Sequence, residues 1–237
     1  VTGVERVISH GGDGTLNEVA NGLIGRGIPL MFLPGGTANA MAYELGIPLN
    51  PVMAARALLG SEPQPVYPGQ VGNRIFMLMA GFGFDALIVY LVGKRLKSWL
   101  GAASYLLTGV RALAHHKPEI RVLTPDGEGL RGHWVVAARS RRYGGMLKVH
   151  PRAAMHNPDL GLVVVKKSMI VPFALTNLVF GTGFTGRGMV LQEHPRFRVT
   201  AEQPLYVHVD GDYIGMGTEF EVSICERALP FCFPGAE

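Results

Sequence analysis

Residues 11–18 of this chain read Gly-Gly-Asp-Gly-Thr-Leu-Asn-Glu, and a stretch of that composition leaves few folds open. The run Val4 to Ile8 ahead of it predicts a buried strand. Behind it Leu16, Val19, Ala20 and Leu23 recur at helical spacing. A strand, a glycine-rich turn and a helix in that order aim backbone N–H groups and the positive end of a helix dipole at whatever sits above the turn. The glycines let an anion come close to the backbone and permit positive φ. Thr15 with Glu18 three residues on predicts a capping box that sets where the helix begins. Asp13 is out of place in an anion cradle. Its carboxylate repels phosphate unless a cation lies between, so it points to Mg²⁺, held directly or through water.

A second turn strengthens the reading. Ile28 to Leu33 predicts another buried strand, followed by Pro34-Gly35-Gly36-Thr37-Ala38-Asn39 and a helix through Leu45. Thr37 sits where an N-cap belongs, and Gly46 with Pro48 closes the helix. Consecutive βα units with glycine-rich turns put both turns on one edge of a parallel sheet. That edge, beyond the carboxyl ends of the strands, is where α/β proteins bind ligands.

These residues resemble a known family. Gly11–Glu18, Leu33–Asn39 and the later Asp210-Gly211-Asp212 are together similar to the soluble diacylglycerol kinase catalytic-domain family, which includes sphingosine, ceramide and bacterial lipid kinases. Supporting matches are Gly81-Phe82-Gly83-Phe84-Asp85-Ala86, Lys97, Gly101, Tyr105, Tyr143-Gly144-Gly145 and Pro151. The resemblance implies ATP and Mg²⁺ as cofactors and a lipid alcohol as acceptor. It implies a nucleotide-binding α/β domain followed by a β-rich domain. The family carries an Asn-Pro…Gly turn in earlier βα units, and nothing here matches it. The expectation is therefore a nucleotide domain truncated at its amino terminus.

Composition narrows the field without deciding it. With 48% hydrophobic and 17% charged residues the chain is a globular protein. A formal charge of +4 fits an anionic ligand or membrane surface. Cys225 and Cys232 read as buried free thiols, and no Cys/His grouping has zinc spacing. A reduced, cytoplasmic setting follows. The most apolar window, Met169 to Phe184, contains Pro172 and Asn177 and is too short to cross a bilayer comfortably. Any membrane contact is thus expected to be peripheral. Lys94-Arg95-Leu96-Lys97-Ser98-Trp99-Leu100 is one candidate for it, and Arg139, Arg141 and Arg142 form a second basic cluster. Neither has the aromatic interleaving of a nucleic-acid binder, so no nucleic-acid partner is expected; a homodimer is left open.

Along the chain, residues 1–65 predict the α/β domain, with 226–237 returning to it as in the resembled family. Helices are expected at 16–24, 38–45 and 51–59, and Ser61-Glu62-Pro63-Gln64-Pro65 as a linker. Residues 66–225 predict a mainly antiparallel sandwich or barrel, with a long helix from about Ala86 to Ala114 broken near Gly101. Short strands are expected at 119–124, 132–138, 161–166, 189–191, 196–200, 204–209 and 219–224. The fold class is α/β plus mainly β, a parallel sheet followed by an antiparallel sandwich-like domain. Gly81-x-Gly83-x-x-Ala86 mimics a dinucleotide turn but lacks an acidic residue about twenty positions on. In the family this turn lines the interdomain cleft, which places Asp85 there. Gly181-x-Gly183-x-x-Gly186 reads as a loop.

The cofactor-side residues are then Gly11, Gly12, Asp13, Gly14, Thr15, Leu16, Asn17, Thr37 and Asn39. Backbone donors and the Thr15 and Thr37 hydroxyls hold phosphates, Asn17 and Asn39 either bond phosphate or orient the loops, and Asp13 organises the metal. Asp210-Gly211-Asp212 ends an apolar strand, and Asp-Gly commonly makes a tight hairpin turn. The family has Asp-Gly-Glu at this place, with the acidic pair in the cleft and one member acting as base. Asp212, one methylene shorter than Glu, is favoured as base and Asp210 as its partner, with reversed roles left open. Asn157-Pro158-Asp159-Leu160-Gly161 has lost two carboxylates of a family stretch near which some members bind a structural Mg²⁺. NAD kinase, which shares the Gly-Gly-Asp-Gly-Thr loop, is the competing enzyme class, and a non-catalytic nucleotide- or lipid-binding module is the third reading.

Overall fold

The computed structural model describes residues 3–100, 118–143, 147–172 and 188–234, together with the single positions 108, 112 and 115. Its first layer is built on two parallel strands. In β1 (Val7–Gly11) and β2 (Leu30–Pro34), Val7 lies opposite Leu30 and Gly11 opposite Pro34. The helix α1 (Asp13–Leu23) makes the crossover and buries Leu16, Ala20 and Leu23, one stripe at helical spacing. β2 is apolar on both faces and buried, as a central parallel strand must be. β1 departs from its expected burial. It is the outer strand of the sheet, and Ile8 on its open face is 57% exposed.

Two helices follow. α2 (Ala40–Leu45) stops at Gly46, whose φ of 68° supplies the left-handed residue that ends a helix, and the Ile47 N–H reaches back to the Ala42 carbonyl. α3 (Pro51–Leu58) begins with proline at its first position, and the Asn50 side chain accepts from the Val52 and Met53 N–H groups at 3.0 and 3.2 Å. The expected linker at 61–65 is instead half strand. β3 (Pro63–Val66) pairs antiparallel with β16 (Leu229–Cys232), and β16 lies parallel to β2 with Phe231 opposite Leu30. β3 is the other edge of the sheet, the position at which prolines, lacking a ladder donor, are tolerated.

The second layer is antiparallel. Its ten-stranded sheet runs through β13 (Met189–His194), β12 (Leu160–Val165), β9 (Trp134–Ala138), β6 (Met79–Gly83), β14 (Arg196–Val209), β15 (Asp212–Ile224), β4 (Gly69–Val71) and β5 (Arg74–Phe76). β7 (Ile120–Leu123) pairs β14 and carries β8 (Gly129–Gly132) beside it, and β10 (Arg142–Tyr143) with β11 (Leu147–Lys148) makes a small ribbon. The runs expected at 196–200 and 204–209 are one strand, and its partner extends back from 219 to Asp212. Register shifts between Thr200 and Leu205 and between Val207 and His208 are what broke the sequence pattern. α4 (Phe84–Leu100) is interrupted at Gly93, where φ is 57° and ψ 167°. The predicted break at Gly101, with Tyr105 and the 181–186 glycines, lies outside the described residues.

Two cores result, and the central strands feed both. Val136, Ala138, Val163 and Val165 face a core that also contains Leu16, Phe32, Met41, Met77 and Phe231. Their alternates Val135, Ala137, Leu162 and Val164 face a second core with Phe76, Phe82, Val199 and Val207. Strand periodicity sends neighbours to opposite faces, so β9 and β12 weld the two layers together. Each fully buried Val, Leu or Phe here contributes about 1.5–3 kcal/mol. Cys225 and Cys232 are buried free thiols in the first core.

Candidate active site

The two glycine turns meet at the tips of β1 and β2. The Gly35 N–H donates to the Gly11 carbonyl at 2.7 Å. A Cβ at Gly36 would lie 2.5 Å from the Gly12 Cα, so the turns touch backbone to backbone and only glycine fits. α1 starts at Asp13 with Gly12 as its cap residue and no side-chain cap, not at the predicted Thr15–Glu18 capping box. Thr15 is exposed within the first turn, while Glu18 faces Arg74 at 2.5 Å in an exposed pair. The first-turn N–H groups of Asp13, Gly14 and Thr15 have no carbonyl one helical turn earlier to bond. This is the anion-seeking end of the helix. Leu16 differs from its neighbours: its N–H is already bonded to the Gly12 carbonyl and its side chain is in the core.

Asp13 does structural work that sequence reasoning gave to Thr37. Its oxygens accept the Ala40 and Met41 N–H groups, each at 2.9 Å, so the first turn caps the helix that follows the second. Thr37 itself is exposed and caps nothing. Asn39 precedes α2 in the left-handed region, φ 45°, a conformation Asn tolerates better than most residues. Its side chain brackets one residue, accepting from the Gly36 N–H at 2.9 Å and donating to the Gly36 carbonyl at 2.8 Å. Of the two roles open to Asn39, the geometry is that of a loop brace.

The Asp210-Gly211-Asp212 segment arrives from the other layer. Val209 pairs with Asp212 across a two-residue loop in which Asp210 and Gly211 have φ of 48° and 82°, the tight hairpin that Asp-Gly favours. Its two carboxylates have different tasks. Asp210 turns inward: one oxygen accepts from Met77 N–H at 2.7 Å and Asn17 Nδ2 at 2.6 Å, the other from Leu78 and Met79 N–H at 2.9 and 2.8 Å. Burial pushes the Asp210 carboxyl above the usual range, against the pull of those four donors. Asp212 turns outward. Its Oδ2 stands 3.5 Å from where a Cβ on Gly14 would be, at ordinary contact distance from the first glycine turn.

Asn17 belongs to the same clasp. It is 1% exposed, and its amide donates to Asp210 and to the Ile75 carbonyl at 3.1 Å. Asn21, one turn on, donates to the Asn17 Oδ1 and accepts the Ile75 N–H at 3.1 Å. Asn17 therefore orients the loops and is turned away from any phosphate. Sequence reasoning missed Asn21, although two asparagines four apart on one helix face were a signal. It also missed Arg74, whose guanidinium pKa is raised by its bond to Glu18 and by the nearby charges of Asp212 and Asp210.

Arg139 is a further correction. Expected in an exposed basic cluster, it is fully buried, donating to the carbonyls of Asn157 at 3.0 Å, Asp159 at 2.9 Å and Met155. Burial pushes its pKa down to about 10, with the Asp159 charge acting the other way. The basic stretch at 94–99 has no described side chains.

At the tips of the parallel sheet a dipole-ended helix and two glycine turns stand beside a carboxylate hairpin from the antiparallel layer, on the edge where α/β proteins bind ligands. Residues 1–71 match the diacylglycerol kinase catalytic domain, and residues 79–231 match the YegS C-terminal NAD kinase beta sandwich-like domain. A Pseudomonas aeruginosa protein named "Probable lipid kinase YegS-like" is 34% identical over 98% of this chain and 78% of its own length. A diacylglycerol kinase of Bacillus subtilis is 29% identical, over 89% of this chain and 72% of its own. A crystal structure of a diacylglycerol kinase from Bacillus anthracis shares the fold with a TM-score of 0.72 and 18% identity, covering 98% of this chain and 77% of that one. The chain belongs to the YegS-like and diacylglycerol kinase family of lipid kinases.

Proposed function

We propose that this protein transfers the γ-phosphoryl group of ATP, with Mg²⁺, to the hydroxyl of a lipid such as a diacylglycerol or a sphingoid base, and that Asp212 is the general base. The observation that carries the reading is the placement of the Asp212 carboxylate opposite Gly14, at the first turn of the anion-seeking helix. The γ-phosphate of ATP lying over Gly12–Thr15 would be within reach of an acceptor held by Asp212. As the acceptor oxygen attacks phosphorus, the new O–P bond forms and the bond to the β-bridging oxygen breaks. The hydroxyl proton passes to Asp212, and ADP leaves. Such transfers have loose transition states, so most of the rate comes from positioning and charge neutralisation.

The residues present fit the metal in a limited way. Among the described residues no three potential ligands cluster, so a cage made by protein alone is not on offer. Mg²⁺ bound mainly by phosphates and water needs only one or two carboxylates. Asp13 keeps a second lone pair on each oxygen after capping α2, and Asp212 faces the same turn. When bound there, the ion would neutralise phosphate charge. Among the described residues no helix is long and apolar enough to cross a membrane, and contact with the acceptor's bilayer is proposed to be peripheral.

The test is γ-labelled ATP-Mg²⁺ with a panel of diacylglycerol, sphingosine and a glycerophospholipid, with NAD alongside. Label in the organic phase is expected. Label in NADP would favour a soluble acceptor, the alternative raised by the second domain's likeness to NAD kinase. Asp212→Asn is expected to cut turnover about 100-fold or more while ATP binding holds; an unchanged rate would remove the base.

A further inference from the structure

Behind the hairpin lies a buried pair that the proposed transfer does not use. Asp85, in the first turn of α4, is 3% exposed, and His208, on β14, is 1% exposed. His208 Nε2 and Asp85 Oδ2 are 3.0 Å apart. On the other side of the ring, the Gly211 backbone N–H donates to His208 Nδ1 at 3.3 Å. A peptide N–H has no choice of role, so Nδ1 must present its lone pair and the ring proton resides on Nε2, aimed at Asp85. The second oxygen of Asp85 accepts the Ala86 N–H at 2.7 Å, at a helix start whose dipole favours a carboxylate.

The surrounding backbone makes space for this pair. His208 lies opposite Gly81 on β6. A Cβ at residue 81 would sit 2.0 Å from Asp85 Oδ2 and 2.3 Å from His208 Nε2, so any other residue there would push the pair apart. The first glycine of the 81–86 motif thus serves the pair. A register shift between Val207 and His208 adjoins the ring, so the strand pairing is interrupted where the side chain must be aimed. β6, α4 and β14 converge on one atom, the N–H of the residue between Asp210 and Asp212.

We propose that Asp85 and His208 form a positioning relay for the hairpin: Asp85 fixes the tautomer and orientation of His208, His208 holds the Gly211 peptide, and the held peptide sets where Asp212 points. The relay rests on the reading of Asp212 as base. Asp210 secures the same turn through its side chain, and His208 secures it through the following peptide. With both in place the two-residue loop has one orientation, and Asp212 faces Gly14. His208 and Asp85 are positioning residues, since both are buried, at 1% and 3% exposed.

Histidine's two nitrogens can be tested separately. His208→Asn keeps a polar atom near the Nδ1 position and retains an acceptor for Gly211. His208→Gln reaches the Nε2 position, keeping a partner for Asp85 but leaving the Gly211 N–H without its acceptor. In ¹⁵N-histidine spectra of the full chain, the ring signal that both variants delete is expected to be the Nε2–H tautomer. Exchange of the Gly211 amide is expected to quicken in His208→Gln and not in His208→Asn. With γ-labelled ATP-Mg²⁺ and diacylglycerol in mixed micelles, His208→Gln is expected to lose about tenfold or more in kcat with KM for ATP within about twofold, the cost of a displaced catalytic group. His208→Asn is expected to recover most of that loss.

A ring proton on Nδ1, equal Gly211 exchange in the two variants, or equal losses of kcat would overturn the relay. The spectra and exchange rates need no acceptor, so they decide the holding of Gly211 even where diacylglycerol takes no label. Wild-type turnover in Asp212→Asn would instead overturn the base assignment and leave the tautomer result standing.

Discussion

The two turns that face each other across the cleft are held by opposite means. The glycine turns at β1 and β2 are fixed by backbone against backbone. Gly36 packs on Gly12, Gly35 bonds Gly11, and the turns' own side chains do the rest, Asn39 bracing the bend and Asp13 capping α2. The 210–212 hairpin is fixed by Asn17 and the peptides of 77–79, from far along the chain, and by the adjacent His208, itself held by the distant Asp85. A turn that needs its own peptides to meet an anion must keep its neighbours small. A turn that must aim one carboxylate at a fixed point needs anchors that do not move. On the proposed function, the difference separates the side that binds phosphate from the side that acts on the acceptor.

The contrast can be broken most forcefully at Asp210. Asp210→Asn keeps a residue that tolerates the left-handed backbone but replaces half of the acceptor with a donor. Urea denaturation is expected to show a loss of roughly 2–4 kcal/mol, the cost of leaving buried donors unmatched. A loss below about 0.5 kcal/mol, the ordinary surface range, would mean that the hairpin is held otherwise. On the glycine side, Gly36→Ala forces a Cβ to 2.5 Å from the Gly12 Cα, whereas Gly12→Ala meets the Gly36 Cα at 3.3 Å. The first is expected to cost about 1–3 kcal/mol and to weaken ATP binding in calorimetry, and the second clearly less. Equal effects would show that the turns do not touch as described. The smallest change is expected from Asp212→Ala. Asp212 faces the cleft rather than a set of buried donors, so its stability effect should stay within about 0.5 kcal/mol. A large loss there would make Asp212 a second anchor and dissolve the distinction between the two acids.

How much of this was legible in the sequence depends on how local the cause is. The glycine turns, the start of α3 at Asn50-Pro51, the helix stop at Gly46 and the Asp-Gly hairpin were readable because a few adjacent residues determine their backbone. The capping residues were misread because capping is a competition for N–H groups. Thr37 was the near candidate for α2, and Asp13, folded in from the preceding unit, took its place. β3 looked like a linker because its prolines discourage a strand in general, and only the arrival of β16 beside it made an edge that tolerates them. Arg139 looked like a surface cation, since nothing nearby in the sequence announces the carbonyls of 155–159 that receive it.

By itself the sequence determined the chemistry available to the cleft: small residues where an anion approaches, carboxylates on a tight turn, and apolar strands that must be buried on two faces. Only the tertiary structure decided which acid is an anchor and which is turned outward, and that Asn17 locks the layers together. The physical reason lies in desolvation. A carboxylate becomes an anchor when donors from distant segments surround it, and that enclosure is set by strand register and layer packing, which no local pattern encodes.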